Sequence, residues 1–422
     1  MSNPPADLTS GAGPAQLPPP PAPVGVPWRW LSVSVLVPNV FYGIGMGAAT
    51  PMVPLAATEL GASLSVAALL AALLMIGQFA GTIPAGRSVE RFGERPTMVA
   101  SACFGVVGAA LCAVADSTAV LGIGAFAIGV GAGVFGLARH AFVTVMTPPG
   151  SRGRALSMVA GSYRIGFMVG PFLSAAVIHL THSPAAAFGV VMATSGLLAT
   201  AVLVVREPAS PVAGGAAGSA SSAHRLREVL WQSRGVLARV GTGVMTIGIL
   251  RTSRQIVVPL WALHLDITEV HIALIVGSAA AVDVALFYLG GVIMDRWGRL
   301  WVAVPTLAIF AAAHVGLALS MFLPGRVPTF LTMVALMAVA NGISSGIMAT
   351  IGSDLADPGH PGPFLSAWRT VTESGSAAAP LLIFAITSVA SLSAALVAMG
   401  AIGFVGLGLL ARHLPRTAPC RP

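Results

Sequence analysis

Lysine is missing from this sequence altogether: all 22 basic residues are arginine. Charge of any kind is scarce, at 9% of residues, where a soluble domain carries about a quarter. Cysteine is nearly absent, with Cys103 and Cys112 inside one apolar run and Cys420 near the end. That excludes a disulfide framework or a Cys/His metal cluster. No His-Glu-x-x-His zinc motif and no phosphate-binding glycine loop occurs, so neither metal hydrolysis nor ATP drive has a motif to rest on, and no cofactor or metal is expected. Residues 1–27 hold no basic residue and so lack the charged start of a signal peptide.

What is present is apolar. Hydrophobic residues make up 56% of the 422, with a mean hydropathy of +0.87. They fall in continuous runs of about 20 residues, and at ~1.5 Å per residue each crosses a ~30 Å hydrocarbon core. The runs are rich in Gly, Ala and Leu and do not alternate, which argues against strands. The expectation is an all-α integral membrane protein with twelve spans, roughly 29–56, 64–86, 96–115, 119–145, 155–179, 185–205, 237–263, 270–293, 300–322, 327–352, 364–389 and 391–412. The organisation expected is a disordered tail over 1–27, a six-helix half over 28–206, a Ser/Gly/Ala-rich linker over 207–235, a second half over 236–413 and a tail over 414–422.

The net charge of +8 points to membrane topology and not to nucleic acid. Sixteen arginines (29, 87, 91, 95, 152, 154, 206, 225, 227, 234, 239, 296, 299, 412, 416 and 421) fall at one side of this plan, and only Arg326 at the other. The positive-inside rule then makes both termini and the linker cytoplasmic, in a plasma membrane. Arginine without lysine, with heavy Ala, Gly and Val usage, reads as a GC-rich coding bias and points to a bacterial source.

The two halves repeat each other. Shifted by 205, Pro54-Leu55 overlies Pro259-Leu260 and Gly86 overlies Gly291; shifted by 209, "PGSRGRALS" overlies "PGHPGPFLS". The repeat also doubles one phrase, "AGRSVERFGE" at 85–94 and "GGVIMDRWGR" at 290–299. Two parallel six-helix repeats joined by a polar linker are the sequence form of a rocking transporter.

The phrase, its place between the second and third spans of each half, and the twelve-span plan resemble the major facilitator superfamily over residues 29–412. The family's Gly-x-x-x-Asp-Arg-x-Gly-Arg loop is matched fully by Gly291, Asp295, Arg296, Gly298 and Arg299. The first copy keeps Gly86, Arg91 and Gly93 but has Glu90 for Asp and Glu94 for the last Arg. The resemblance implies a cytoplasmic gate, with Gly86 and Gly291 allowing close helix approach and the charges forming a network that differs between two states. "GFMVGPFLSA", 166–175, resembles the Gly-x-x-x-Gly-Pro motif of drug:proton antiporters, which implies that Gly166, Gly170 and Pro171 shape a kinked helix at the interface between halves.

Five arginines and two acids fall inside predicted spans: Arg139, Arg164, Arg251, Arg254 and Arg369 against Asp283 and Glu373. A charge at mid-bilayer costs at least ~2.5–3.5 kcal/mol, so each should face water or a partner. Arg139, in "GLARHAF", resembles the fourth-span arginine implicated in proton transfer in this family's antiporters. Glu373 is expected to be the buried, main proton-coupling acid, paired with Arg369 at i,i+4 or with Arg164. Asp283 is the second candidate, with Arg251 as its expected partner. Arg164, Arg251, Arg254, Tyr42, Asn39, Gln78 and Asn341 are the expected substrate-cavity residues.

These features predict a proton-coupled secondary transporter, monomeric in the bilayer, exporting small organic molecules or drugs. A carrier for an anionic metabolite is the alternative, since five arginines outnumber two acids. A sensor or scaffold retaining the fold is a third reading, against which the doubled gate phrase stands. No catalytic residue is assigned.

Overall fold

The computed structural model describes residues 32–147, 151–204, 231, 233–356 and 361–414. Both expected tails (Leu414 excepted), most of the linker, Cys420 and the arginines at 29, 206, 225, 227, 416 and 421 lie outside them. The described residues are helical and contain no strand. The first half is built of α1 (Val37–Glu59, entered through a π turn at Ser32–Leu36), α2 (Leu64–Phe92), α3 (Glu94–Ala113), α4 (Thr118–Met146), α5 (Arg152–Thr181) and α6 (Phe188–Val204). The second holds α7 (Thr242–His264), α8 (Glu269–Trp297), α9 (Leu300–Leu319), α10a (Arg326–Ile343), α10b (Ile347–Leu355), α11 (Pro361–Val389) and α12 (Leu392–His413).

Eleven of these spans are long and apolar enough to cross a membrane. The exception is α7, whose 23 residues are long enough but include Arg251, Arg254 and Gln255. The tenth span, expected as one helix, is broken at Ser344–Gly346, where Gly346 turns with φ +81. A side chain would be strained there.

Local chemistry fixes the helix ends. Ser63, Ser117 and Ser391 accept the Val66, Val120 and Ala394 amides at the starts of α2, α4 and α12, meeting donors that a helix N-terminus leaves open. At the opposite end of the bundle, where the repeated phrase lies, α2 and α8 stop at Gly93 (φ +85) and Gly298 (φ +95). The phrase needs glycine at these positions for backbone conformation.

Helix pairing shows the repeat in three dimensions. α1 packs on α5 and α6 as α7 packs on α11 and α12; α2 packs on α4 as α8 packs on α10a; α3 packs on α6 as α9 packs on α12. The halves meet along two seams, α5–α8 and α2–α11, and α1 also touches α7 and α8. Away from the phrase, α1 is buried continuously over 43–57 and α7 over 256–262. A helix buried on all faces has neighbours all round, so the bundle is closed there. At the phrase end, polar side chains are exposed instead: His140 and Thr144 of α4, Ser353 and Asp354 of α10b, and Ser366, Arg369, Thr370, Glu373 and Ser374 along one face of α11. His140 is in electrostatic range of Arg369 and Glu373 of the other half, so these three exposed groups face one cleft, open at the phrase end.

Candidate functional site: the polar seam and its gate

The first half holds its polar groups in a hub without an acid. Asn39 on α1 is fully buried and donates to Val159 O at 2.6 Å and Ser162 Oγ at 2.7 Å on α5. Its Oδ1 accepts from Arg139 Nη1. The Arg139 guanidinium lies 5.8 Å from the Tyr42 ring centroid and 5.6 Å from that of Phe135. Tyr42 packs in turn on Tyr163, at 5.4 Å. Asn39, expected in the substrate cavity, has its amide taken up by hydrogen bonds that join three helices. Tyr42 belongs to the same hub, while half-buried Gln78 lies where Gly129 and Gly133 bring α4 onto the α2 backbone.

The second half holds an ion pair. Arg254 Nη2 meets Asp283 Oδ2 at 2.6 Å, both side chains 10% exposed or less, and Asn341 Nδ2 donates to the same oxygen at 2.8 Å. Asp283 therefore pairs with Arg254 and not, as expected, with Arg251. The position one turn further along α7 reaches α8, while Arg251 turns to the break in the tenth span. There its Nη2 donates to Ser344 O at 3.1 Å and Ser344 Oγ at 2.9 Å. A broken helix leaves carbonyls that need donors, and Arg251 supplies one. Arg251 Nε, Arg254 Nε, Asp283 Oδ1 and Asn341 Oδ1 are buried and find no protein partner. Ser344 was not singled out from the sequence; the run "NGISSG" was its available signal.

Arg164 enters from the other half. Its guanidinium sits 4.9 Å from the centroid of Phe287 on α8, within electrostatic range of Asp283 and Arg254. Arg369 and Glu373 pair at 2.6 Å as their i,i+4 spacing predicts. Glu373, expected to be buried, is 58% exposed on the polar face of α11. Among the described residues Asp283 is the one buried carboxylate.

The charges expected to form a gate have other partners than expected. Arg299 pairs with Asp354 of α10b at 2.7 Å and donates to Met294 O at 2.8 Å, while Asp295 is 83% exposed and 3.9 Å away. Gly298 ends α8 and turns the chain, which aims Arg299 at α10b. In the first copy Glu90 and Arg91 are exposed, and Arg91 rests on the Phe92 ring. Arg95, one place later than the family pattern, grips Val202 O and Leu203 O at the end of α6. Arg296 is exposed. Nothing would meet a Cβ at Gly86 or Gly291, so these glycines do not mediate close packing here; Gly290 does, against Ile343. Gly166 and Gly170 do permit close packing, but on Val40 and Ile44 of α1 within the same half, reciprocated by Gly43 and Gly47 against Tyr163 and Phe167. The opposite face of α5 makes the contact between halves, with Phe172 against Gly277. The helix runs unbroken through Pro171.

Among the described residues, helices in two matched halves enclose a polar centre and carry charged pairs at one end, an arrangement that suits a membrane transporter. The chain belongs to the Major Facilitator Superfamily, whose sequence model matches residues 36–253 and 240–422. Multidrug resistance protein 1 of Bacillus subtilis (strain 168) is 27% identical over 183 residues, 42% of this chain and 46% of that protein. The match thus spans less than half the length of that relative. The fold resembles a bacterial homolog of the human lysosomal transporter Spinster, inward-facing and unoccupied (TM-score 0.72, 13% identity, 90% of this chain and 96% of that one). It also resembles the xylose transporter XylE from E. coli, inward open (0.66, 14%, 93% and 97%), and a POT family transporter in complex with 5-aminolevulinic acid (0.70, 12%, 91% and 95%).

Proposed function

We propose that this transporter couples proton movement to export of small organic molecules by alternating access, as a monomer in a bacterial plasma membrane with its termini cytoplasmic. The observation that carries the reading is Asp283, a buried carboxylate on α8 at the seam with α5. Its partner Arg254 belongs to its own half and travels with it, whereas Arg164 belongs to the other half. Rocking one half against the other changes the distance from Asp283 to Arg164 but not to Arg254. The field at the carboxylate then differs between the two states, as coupling requires. The relative named for multidrug resistance supports export of drug-like molecules.

In this reading the two acids exchange the roles expected from the sequence. Asp283 couples, and Glu373, exposed in the cleft beside Arg369 and His140, passes protons between the cleft and its interior. Arg139 holds the first half's hub together, and Arg164, Arg251, Gln78 and Asn341 line the cavity. The test is transport by purified protein in liposomes with an imposed pH gradient. Wild type should accumulate compounds of a dye panel uphill until a protonophore collapses the gradient; Asp283→Asn should retain downhill exchange only. Undiminished uphill transport by Asp283→Asn would overturn the coupling role.

A further inference from the structure

The charges at the centre do not balance, and the imbalance has a direction. Arg164, Arg251 and Arg254 converge there within electrostatic range of one another's charges, against the single carboxylate of Asp283. That carboxylate already serves Arg254 and Asn341 through Oδ2. Arg251 is held by neutral acceptors, Ser344 O and Oγ, which position the guanidinium without cancelling its charge. Its Nε is buried without a partner. Arg164 has an aromatic ring against it and, among the described residues, no carboxylate within ion-pair distance. A charge at this depth is costly unless it faces water or a counter-ion. Two unneutralised guanidiniums, one from each half, are therefore poised for an anion.

We infer that the transported molecule carries a carboxylate that docks between Arg164 of α5 and Arg251 of α7, its apolar body lying against Phe167, Phe287 and Met348. This rests on the transporter reading and names its substrate class. The three apolar side chains are half-buried. Phe167 stands one turn from Arg164, Phe287 one turn from Asp283, and the Met348 methyl lies 3.5 Å from where Gly248, one turn before Arg251, would carry a Cβ. Ring contact with Phe287 leaves the N–H edges of Arg164 free, the edges that match a planar carboxylate. Because the two arginines belong to different halves, a bound anion ties the halves together. A cation would meet a net positive centre.

The experiment is a binding titration of the purified full-length protein in detergent, with no gradient, read by dansyl fluorescence. The probes are dansylglycine (a carboxylate), dansylamide (neutral) and dansylcadaverine (a cation). Dansylglycine should bind at least about tenfold tighter than either other probe. Arg164→Gln and Arg251→Gln should each weaken it about tenfold while changing dansylamide less than about twofold, the loss expected for one charge-assisted contact. Asp283→Asn, which removes the competing carboxylate, should strengthen it. Octanoate should displace the probe, and inorganic phosphate at the same concentration should not. Equal or tighter binding of the cation, arginine variants indistinguishable from wild type, or displacement by phosphate would each overturn the inference. Should Arg251→Gln fail to give a monodisperse protein, Arg164→Gln and Asp283→Asn decide it. No gradient enters the measurement, so its failure leaves proton coupling standing. Conversely, an intact anion preference with protonophore-insensitive transport removes only the coupling.

Discussion

Along one seam α5 packs on α8; along the other its counterparts, α11 and α2, pack together. The repeat makes Arg164 the equivalent of Glu373, 209 residues on, and Gln78 the equivalent of Asp283, 205 residues on. One seam thus receives Arg164 and Asp283, the other Glu373 and Gln78. In the first, the acid is buried against Arg254 and Asn341 with a foreign arginine nearby. In the second, the acid is exposed and satisfied by Arg369 of its own helix. The backbone plan is symmetric, which suits a rocking motion, while the chemistry is not. On the proposed reading each has a use: the matched halves give equivalent hinges to move on, and the unmatched charges give one place where movement changes the field on an acid.

The largest expected effect tests that asymmetry directly. Asp283→Ala leaves Arg254 buried without its counter-ion and should cost about 3–5 kcal/mol of stability, seen as a large drop in the detergent melting temperature. Gln78→Ala at the equivalent place should cost no more than about 1 kcal/mol. Equal losses would erase the distinction between the seams.

Next come the glycines. Gly166→Val drives a side chain into the α1 backbone and should destabilise by about 1–3 kcal/mol or more. Gly291→Ala enters open space and should be neutral or gain up to about 1 kcal/mol of helix propensity. The same melting assay separates them, and a Gly291→Ala as damaging as Gly166→Val would place close packing at Gly291 after all.

The gate follows. Arg299→Gln removes the pairing with Asp354 and should cost one conformation about 1 kcal/mol, roughly a fivefold shift between two states, read by accessibility of a cysteine placed at Thr144 in the cleft. Glu90→Gln should change accessibility little, since its side chain is exposed and Arg95 has taken up the contact to α6. A small stability loss is expected for Glu373→Gln, below about 0.5 kcal/mol, because an exposed i,i+4 pair contributes no more.

Much of the fold was legible beforehand because lipid imposes it. Run length and the doubled phrase yielded twelve spans and two halves; most helix ends fell within a few residues, although α2 runs on to Phe92 and the tenth span is broken. The Arg369–Glu373 pair was legible too, since i,i+4 spacing on one helix is a local fact. Asp354 was not, because its link to Arg299 spans 55 residues and depends on how α10b meets the α8 turn. Nor was the choice between Arg251 and Arg254 for Asp283. Both lie on one helix at similar depth, and only the rotation of α7 against α8 and α10a separates them.

The sequence by itself determined that this chain is a bundle of membrane helices in two related halves, because apolar run length and repeat spacing follow from bilayer thickness and a doubled chain. It also showed which few charges fall inside the apolar runs. Tertiary structure alone decided which of those charges are buried, which face the open cleft, and which find partners. Helix rotation and the break at Ser344–Gly346 set those distances, and electrostatic energy in a medium of low dielectric depends on distances of a few ångströms.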